Sequence, residues 1–185
     1  FPLMNLITII PKPLRSDYSL FISLLIPVMY LLKKYPLSKS DYGLTGNNVL
    51  KMILVGCVCA FVIAPSNFLN MFRPITENDM KNYVSNEGGK LSVYYYLIFS
   101  IILIPIIEEI LYRGCVYRIM KNRFNIYWAV LTTCFVFALG HLDLKYTYYS
   151  FVLIVGYEFT KCLGTSIVAH IIWNATYCIR LYMNT

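Results

Sequence analysis

The chain is predicted to be all-α, a polytopic transmembrane helical bundle of about six spans. Three observations predict it. Apolar residues make up 58% of the 185-residue chain, against roughly 45–50% in a soluble domain. Charged residues make up 14%, where about 25% is usual. That sparse charge is concentrated between long uncharged runs, and mean hydropathy is +0.61. The composition excludes disorder, which needs few apolar residues and much charge. It also excludes a nucleic-acid partner, because a basic binding face needs charge spread over a solvated surface. Residues 1–185 read as one integral membrane domain, with membrane lipids as its first partner and the cell membrane as its multi-pass location.

The elements follow in order. Phe1–Ile10, stopped by Pro11 and Pro13, is expected to be the remainder of a further N-terminal helix rather than a signal peptide. Apolar runs then lie at Tyr18–Leu32, Val49–Ala64, Val93–Leu111, Ile126–His141, Tyr146–Thr160 and Leu163–Tyr182. Several are shorter than the ~20 residues that cross a bilayer unaided. Tyrosines and lysines at their ends extend them, because those side chains anchor or snorkel at the interface. The clusters Tyr94–Tyr96 and Tyr146, Tyr148, Tyr149 read as such a belt. Tyr146–Thr160 is the weakest span, with Glu158 near its end and no sequence partner for it; Glu158 is expected to be interfacial. The six cysteines carry no metal-ribbon or CxxC spacing and read as small buried hydrophobes.

Loop charge predicts an orientation. Lys33, Lys34 and Lys39 outweigh Asp41 after the first span, and Arg118, Lys121 and Arg123 follow the third with no acid among them. The loop between them balances Arg73, Lys81 and Lys90 against Glu77, Asp79 and Glu87. The basic turns are therefore expected on the cytoplasmic side, so the net charge of +7 is chiefly an orientation signal and a contact with anionic lipid. Lys12 and Arg15, on the expected outer side, run against it.

A few ionisable residues interrupt the spans, and each costs about 2.5–3.5 kcal/mol on insertion scales. The run from Ile101 to Ile107 leads into Glu108 and Glu109. Adjacent carboxylates point about 100° apart on a helix, so the pair is not expected to share a partner. Glu109 and Arg113, at i and i+4, are expected to pair. Glu108 is then left on another face, one turn from Tyr112, and Pro105 is expected to kink the helix just before it. Both histidines of the chain lie in apolar segments. His141 has Phe137 one turn before it, and His170 has Asn174 one turn after it on the same face. Taken singly, each histidine reads as an interhelical hydrogen bond. Taken together, Glu108, His141, His170 and Asn174 are an acid/base group, two imidazoles and an amide, which is a hydrolytic set.

Depth supports part of that set. Glu108 lies 14 residues before Asn122, and His141 lies 16 after Asn125. At ~1.5 Å per residue, antiparallel helices turning at Arg123–Phe124 return His141 to within roughly 3 Å of the level of Glu108. The same arithmetic does not fix His170.

Three motifs in order, Glu108-Glu109-x-x-x-Arg113, Phe137-x-x-x-His141 and His170-x-x-x-Asn174, resemble those of the CPBP family of intramembrane proteases. That family includes the type II CAAX prenyl proteases and the bacteriocin-processing and self-immunity proteins. Gly164–Ser166 before the third motif also fits, and the motif-bearing core runs over residues 92–183. The resemblance implies hydrolysis of a membrane-embedded or membrane-delivered peptide by a glutamate-activated water. Carried over residue by residue, Glu108 is the general base and His141 binds and polarises the water. His170 and Asn174 stabilise the oxyanion, and Glu109, Arg113, Tyr112 and Phe137 support them. No metal or other cofactor is implied. The alternative is zinc held by Glu108, His141 and His170, against which stand the absence of HExxH and the poor ligand quality of Asn.

Other readings of the same residues are a non-catalytic membrane immunity or scaffold protein and a proton or ion pathway. The substrate, any prenyl requirement and the oligomeric state are not encoded in any pattern found.

Overall fold

A computed structural model describes residues 12–39, 41–42, 48–71 and 98–183. Every regular element among them is helical: α1 (Lys12–Lys34), α2 (Asn48–Met71), a continuous rod α3, α4 (Ile126–His141), α5 (Lys145–Thr160) and α6 (Leu163–Met183). The rod α3 runs through four segments, Phe99–Leu103, Ile104–Glu109, Ile110–Tyr117 and Arg118–Arg123. Phe1–Ile10, Tyr94–Tyr96 and the loop charges from Arg73 to Lys90 lie outside the described residues.

The boundaries of α4, α5 and α6 coincide with the apolar runs to within a residue, because each run ends at a turn the local sequence dictates. At Arg123–Phe124 the chain bends as the depth argument requires. Asn125 then caps α4, its side-chain oxygen accepting the Trp128 amide at 3.0 Å. After His141 the chain reverses through Leu142, whose φ of 52° is left-handed. The Asp143 amide reaches back to the Ala138 carbonyl at 3.3 Å, the closing bond of a Schellman turn that usually has glycine at the left-handed position. Asp143 accepts the Lys145 amide at 3.0 Å and its ammonium at 2.7 Å, which holds its carboxyl below the usual carboxylate range.

The rod α3 differs most from expectation. It extends well past Leu111, to Arg123, and Phe99–Leu103 and Ile110–Tyr117 are π-helical. Pro105 has no amide hydrogen to give. The wide turn before it, in which the Ile104 amide bonds the Phe99 carbonyl five residues back, carries the helix across that gap without breaking it.

The bundle closes around two clusters. One joins Cys59, Ala60 and Ile63 of α2 to Tyr149 and Leu153 of α5 and Trp173 of α6. The other joins Tyr117 of α3, Ala129 and Cys134 of α4, Ile154 and Tyr157 of α5, and Leu163. Close approach of α2 and α6 depends on Gly56, where a Cβ would lie 2.9 Å from the Val168 side chain. The tyrosines expected as an interfacial belt divide. Tyr149 is a core residue and Tyr146 packs against the core, while Tyr148 is exposed and donates to the Val62 carbonyl at 3.2 Å. Their rings are large enough to fill the α2–α5–α6 junction, and that burial outweighs interfacial placement. Glu158 is not isolated: Lys121 of α3 bonds both its oxygens at 2.7 Å, and Lys161 pairs with it as well. Cysteines 59, 115, 134 and 162 are buried and free, as expected of small hydrophobes, but Cys57 is exposed.

Among the described residues, no helix is long and apolar enough to cross a membrane. Helices α4 and α5 have 16 residues each, about 24 Å at ~1.5 Å per residue against a ~30 Å hydrocarbon core.

Leu142 is 92% exposed, so glycine there sacrifices no packing and relieves a conformation that costs a branched residue about 1–2 kcal/mol. Part of that gain is offset by the greater freedom of glycine in the unfolded chain. Leu142→Gly is expected to raise the unfolding temperature of the purified protein. A lowered temperature would mean that the leucine side chain is in use.

Candidate active site

The site is built where the middle of α3, from Glu108 to Arg113, faces α4, α5 and α6. Arg113 is fully buried and is the centre of its polar part. Its Nη1 donates to Glu109 Oε1 at 2.8 Å, and its Nη2 donates to Ser150 Oγ at 2.9 Å and the Ser150 carbonyl at 3.2 Å. The guanidinium carbon also lies 4.8 Å from the centre of the Phe137 ring. The expected Glu109–Arg113 pair is therefore present, and it is anchored to α5 as well.

Glu109 carries a second bond. Its Oε1 lies 2.8 Å from His170 Nδ1 on α6. The other ring nitrogen of His170, Nε2, lies 3.7 Å from Glu108 Oε2. The two adjacent carboxylates thus share a partner, against the expectation. The angular separation on the helix is the reason rather than an obstacle: an imidazole has nitrogens on opposite edges, so two groups splayed by about 100° flank one ring. Glu108 is 7% exposed and accepts no hydrogen bond among the described residues.

His141 enters through Phe137. The Phe137 ring lies 4.5 Å from the His141 ring, 6.0 Å from His170 and 4.9 Å from Tyr112. His141 Nδ1 is 2.9 Å from the Phe137 carbonyl. A carbonyl only accepts, so Nδ1 carries the hydrogen and Nε2 is the nitrogen left for other chemistry. On its far face His141 stacks on Tyr146 at 4.1 Å. His141 joins the Glu108–His170 cluster through Phe137, whose ring borders both imidazoles. Tyr112 packs beside them, and its hydroxyl is the atom a Cβ at Gly140 would meet, at 2.9 Å.

Asn174 follows His170 by one turn, but its amide donates to the Ser100 carbonyl in the first π-helical segment at 2.9 Å. One of its two amide hydrogens is therefore committed to the backbone. No three His, Cys, Asp or Glu side chains among the described residues form a group able to hold a metal ion. Both histidines do have Nδ1 anchored and Nε2 presented, an arrangement that suits either a bound water or a metal.

Three contributors carry no mark in the one-dimensional pattern. Ser150 lies in the middle of an apolar run, and its one signal is a hydroxyl at span depth. Ser100 acts through its backbone, for which no side-chain signal exists. Tyr146 resembles any interfacial tyrosine until its stacking on His141 is seen.

Comparisons with known proteins cover the same part of the chain. The Rce1-like family, described as Type II CAAX prenyl endopeptidase Rce1-like, matches residues 90–176, which hold all three motifs. The Bacillus subtilis (strain 168) protein named "Putative membrane peptidase YdiL" is 25% identical over 169 residues, covering 83% of this chain and 66% of that protein. The chain thus spans a little under two thirds of the length of that relative. No solved structure matches the chain. Both matches are to proteins described as peptidases, one of them a membrane peptidase by name. Over residues 90–176 the chain is thus similar to the CPBP family of intramembrane proteases, in line with the resemblance its three motifs carry.

Removing Arg113 leaves Glu109 buried without its cation, a loss of about 3–5 kcal/mol. Arg113→Met is therefore expected to reduce the folded yield and thermal stability sharply. Combining it with Glu109→Gln is expected to recover part of that loss, because no uncompensated charge remains. Thermal unfolding of both variants in detergent checks the pair, and a double variant no better than the single would contradict it.

Proposed function

We propose that the chain is an intramembrane endopeptidase that hydrolyses a peptide bond of a membrane-embedded or membrane-delivered substrate, using a water activated by Glu108. The observation that carries this reading is the gathering of Glu108, Glu109, His170, Phe137 and His141 from three helices into one cluster, with Glu108 at its edge 3.7 Å from His170 Nε2. Glu108 takes a proton from water, and the resulting hydroxide attacks the carbonyl carbon. Nε2 of His141 holds and polarises that water. The oxyanion is met by His170, which donates from Nε2 only when both ring nitrogens carry hydrogen because Nδ1 donates to Glu109, and by the second amide hydrogen of Asn174, the first being held by Ser100. As the carbon–nitrogen bond breaks, the proton on Glu108 passes to the leaving amine. Glu109 and Arg113 fix the orientation of His170. Tyr112 and Phe137 wall the site against bulk water.

The bundle is proposed to lie in the cell membrane with several helices crossing it. Phe61 (78% exposed), Tyr127 (82%) and Leu131 (59%) are among the apolar side chains on the outer faces of α2 and α4, where lipid is a better neighbour than water. The basic ends of α1 and α3 are proposed to face the cytoplasm. The reaction is proposed to need no metal, since Glu108 and the two imidazoles supply the base and the donors. The anchoring of both Nδ1 atoms favours zinc as the second reading, and chelation separates the two.

The test is cleavage of a membrane-associated peptide library, with prenylated and unprenylated arms, by purified protein in lipid nanodiscs. Glu108→Gln is expected to lower the rate by about 10²–10⁴-fold without loss of folded protein. Equal cleavage by the variant would remove Glu108 from the chemistry. Extraction with chelator is expected to leave the rate unchanged; a loss restored by added zinc would establish the zinc-dependent form.

A further inference from the structure

We propose that the cavity between the C-terminal ends of α1 and α3 binds a phosphate group, either of an anionic lipid headgroup or in free form. This cavity, of about 80 Å³, is lined by Tyr35, Gly114, Arg118, Ile119, Asn122 and Arg123. That is space for several water-sized groups, enough for a tetrahedral oxyanion.

Its principal donor, Arg118, has a long ion pair with Asp41 but an open hydrogen-bonding position. Arg118 Nη1 is buried and makes no hydrogen bond among the described residues. The nearest acid, Asp41 Oδ2, is 3.7 Å away, beyond hydrogen-bond distance. Asp41 is already engaged by its own turn, accepting the Ser38 amide at 2.7 Å and the Ser38 hydroxyl at 2.8 Å. The Arg118 side chain as a whole is 30% exposed, so it is Nη1 alone that lacks an acceptor, and a phosphate oxygen is the acceptor its planar fork fits best. Arg123 adds a second guanidinium and Asn122 an amide. Lys34 is next in sequence to the Tyr35 wall, its ammonium 5.6 Å from the centre of that ring. Lys121, by contrast, is turned away and held by Glu158. Two guanidinium groups therefore line an opening whose nearest acid among the described residues is already hydrogen-bonded in its own turn. Gly114 leaves the wall without a side chain, and a Cβ there would press on Leu37 at 3.2 Å.

The site lies apart from the Glu108–His170 cluster, on the next stretch of the same rod, and its existence does not depend on proteolysis. If the basic ends face the cytoplasm, the negative lipids of that leaflet are the nearest source of phosphate.

The experiment measures binding to the purified protein in two arms. One titrates phosphatidylglycerol into phosphatidylcholine nanodiscs, and the other titrates inorganic phosphate in neutral detergent at constant ionic strength. Retained lipid is read by native mass spectrometry and protection by thermal unfolding. Arg118→Gln and Arg123→Gln are each expected to weaken binding roughly tenfold, the worth of one charge-assisted hydrogen bond. Lys33→Gln, exposed and outside the cavity, is expected to change it by less than about twofold. Should Arg118→Gln fail to fold, Arg123→Gln carries the comparison. Binding in the lipid arm alone assigns a headgroup, and binding in the phosphate arm assigns the free ion. Wild-type affinity in both arginine variants, or an equal loss in Lys33→Gln, would overturn the proposal.

Discussion

The buried guanidinium of Arg113 is the constraint on which the rest of the site depends. A charge with no access to water has to be matched inside the protein, and here it is matched by groups from two helices. Glu109 supplies the countercharge from the same rod, and Ser150 supplies a hydroxyl and a carbonyl from α5. Because Oε1 of Glu109 also meets His170, the demand of Arg113 is passed on to α6, whose histidine is thereby fixed with Nε2 toward Glu108. Three helices are held in register by one charge and its partners.

Phe137 does for the aromatic part what Arg113 does for the polar part. Its ring touches the guanidinium, both imidazoles and Tyr112, and its carbonyl sets the tautomer of His141. Ring and carbonyl leave one residue in different directions, so a single side chain and its own backbone orient two histidines. Wide helical turns surround the glutamates on both sides. They carry the chain past Pro105 and bring the Ser100 carbonyl to the Asn174 amide. Departures from regular helix of this kind concentrate at functional sites, where a backbone group is needed in an unusual place.

Much of this was legible in one dimension. The i,i+4 spacing of Glu109 and Arg113 is enough to predict their pairing, because helix geometry is local. The return of His141 to the level of Glu108 follows from counting residues around the turn at Phe124. The limits of α4, α5 and α6 follow from hydrophobic runs and their end signals. Glu158 was not legible in this way, because its partner Lys121 lies 37 positions away on another rod. Tyr149 was not either: a tyrosine is equally suited to an interface and to a core with a polar edge, and only its neighbours decide.

The sequence by itself therefore determined an apolar helical chain and the identities of the few polar groups it keeps, since composition and short spacings are properties of the chain alone. Tertiary structure decided which of those groups meet. That Glu108 and Glu109 flank one imidazole depends on where α6 lies against α3, a choice made by side chains such as those around Gly56 rather than by either motif. The depth of His170 was decided in the same way. Its height depends on the packing of the intervening helices, and packing is a sum over many small contacts that no single spacing records.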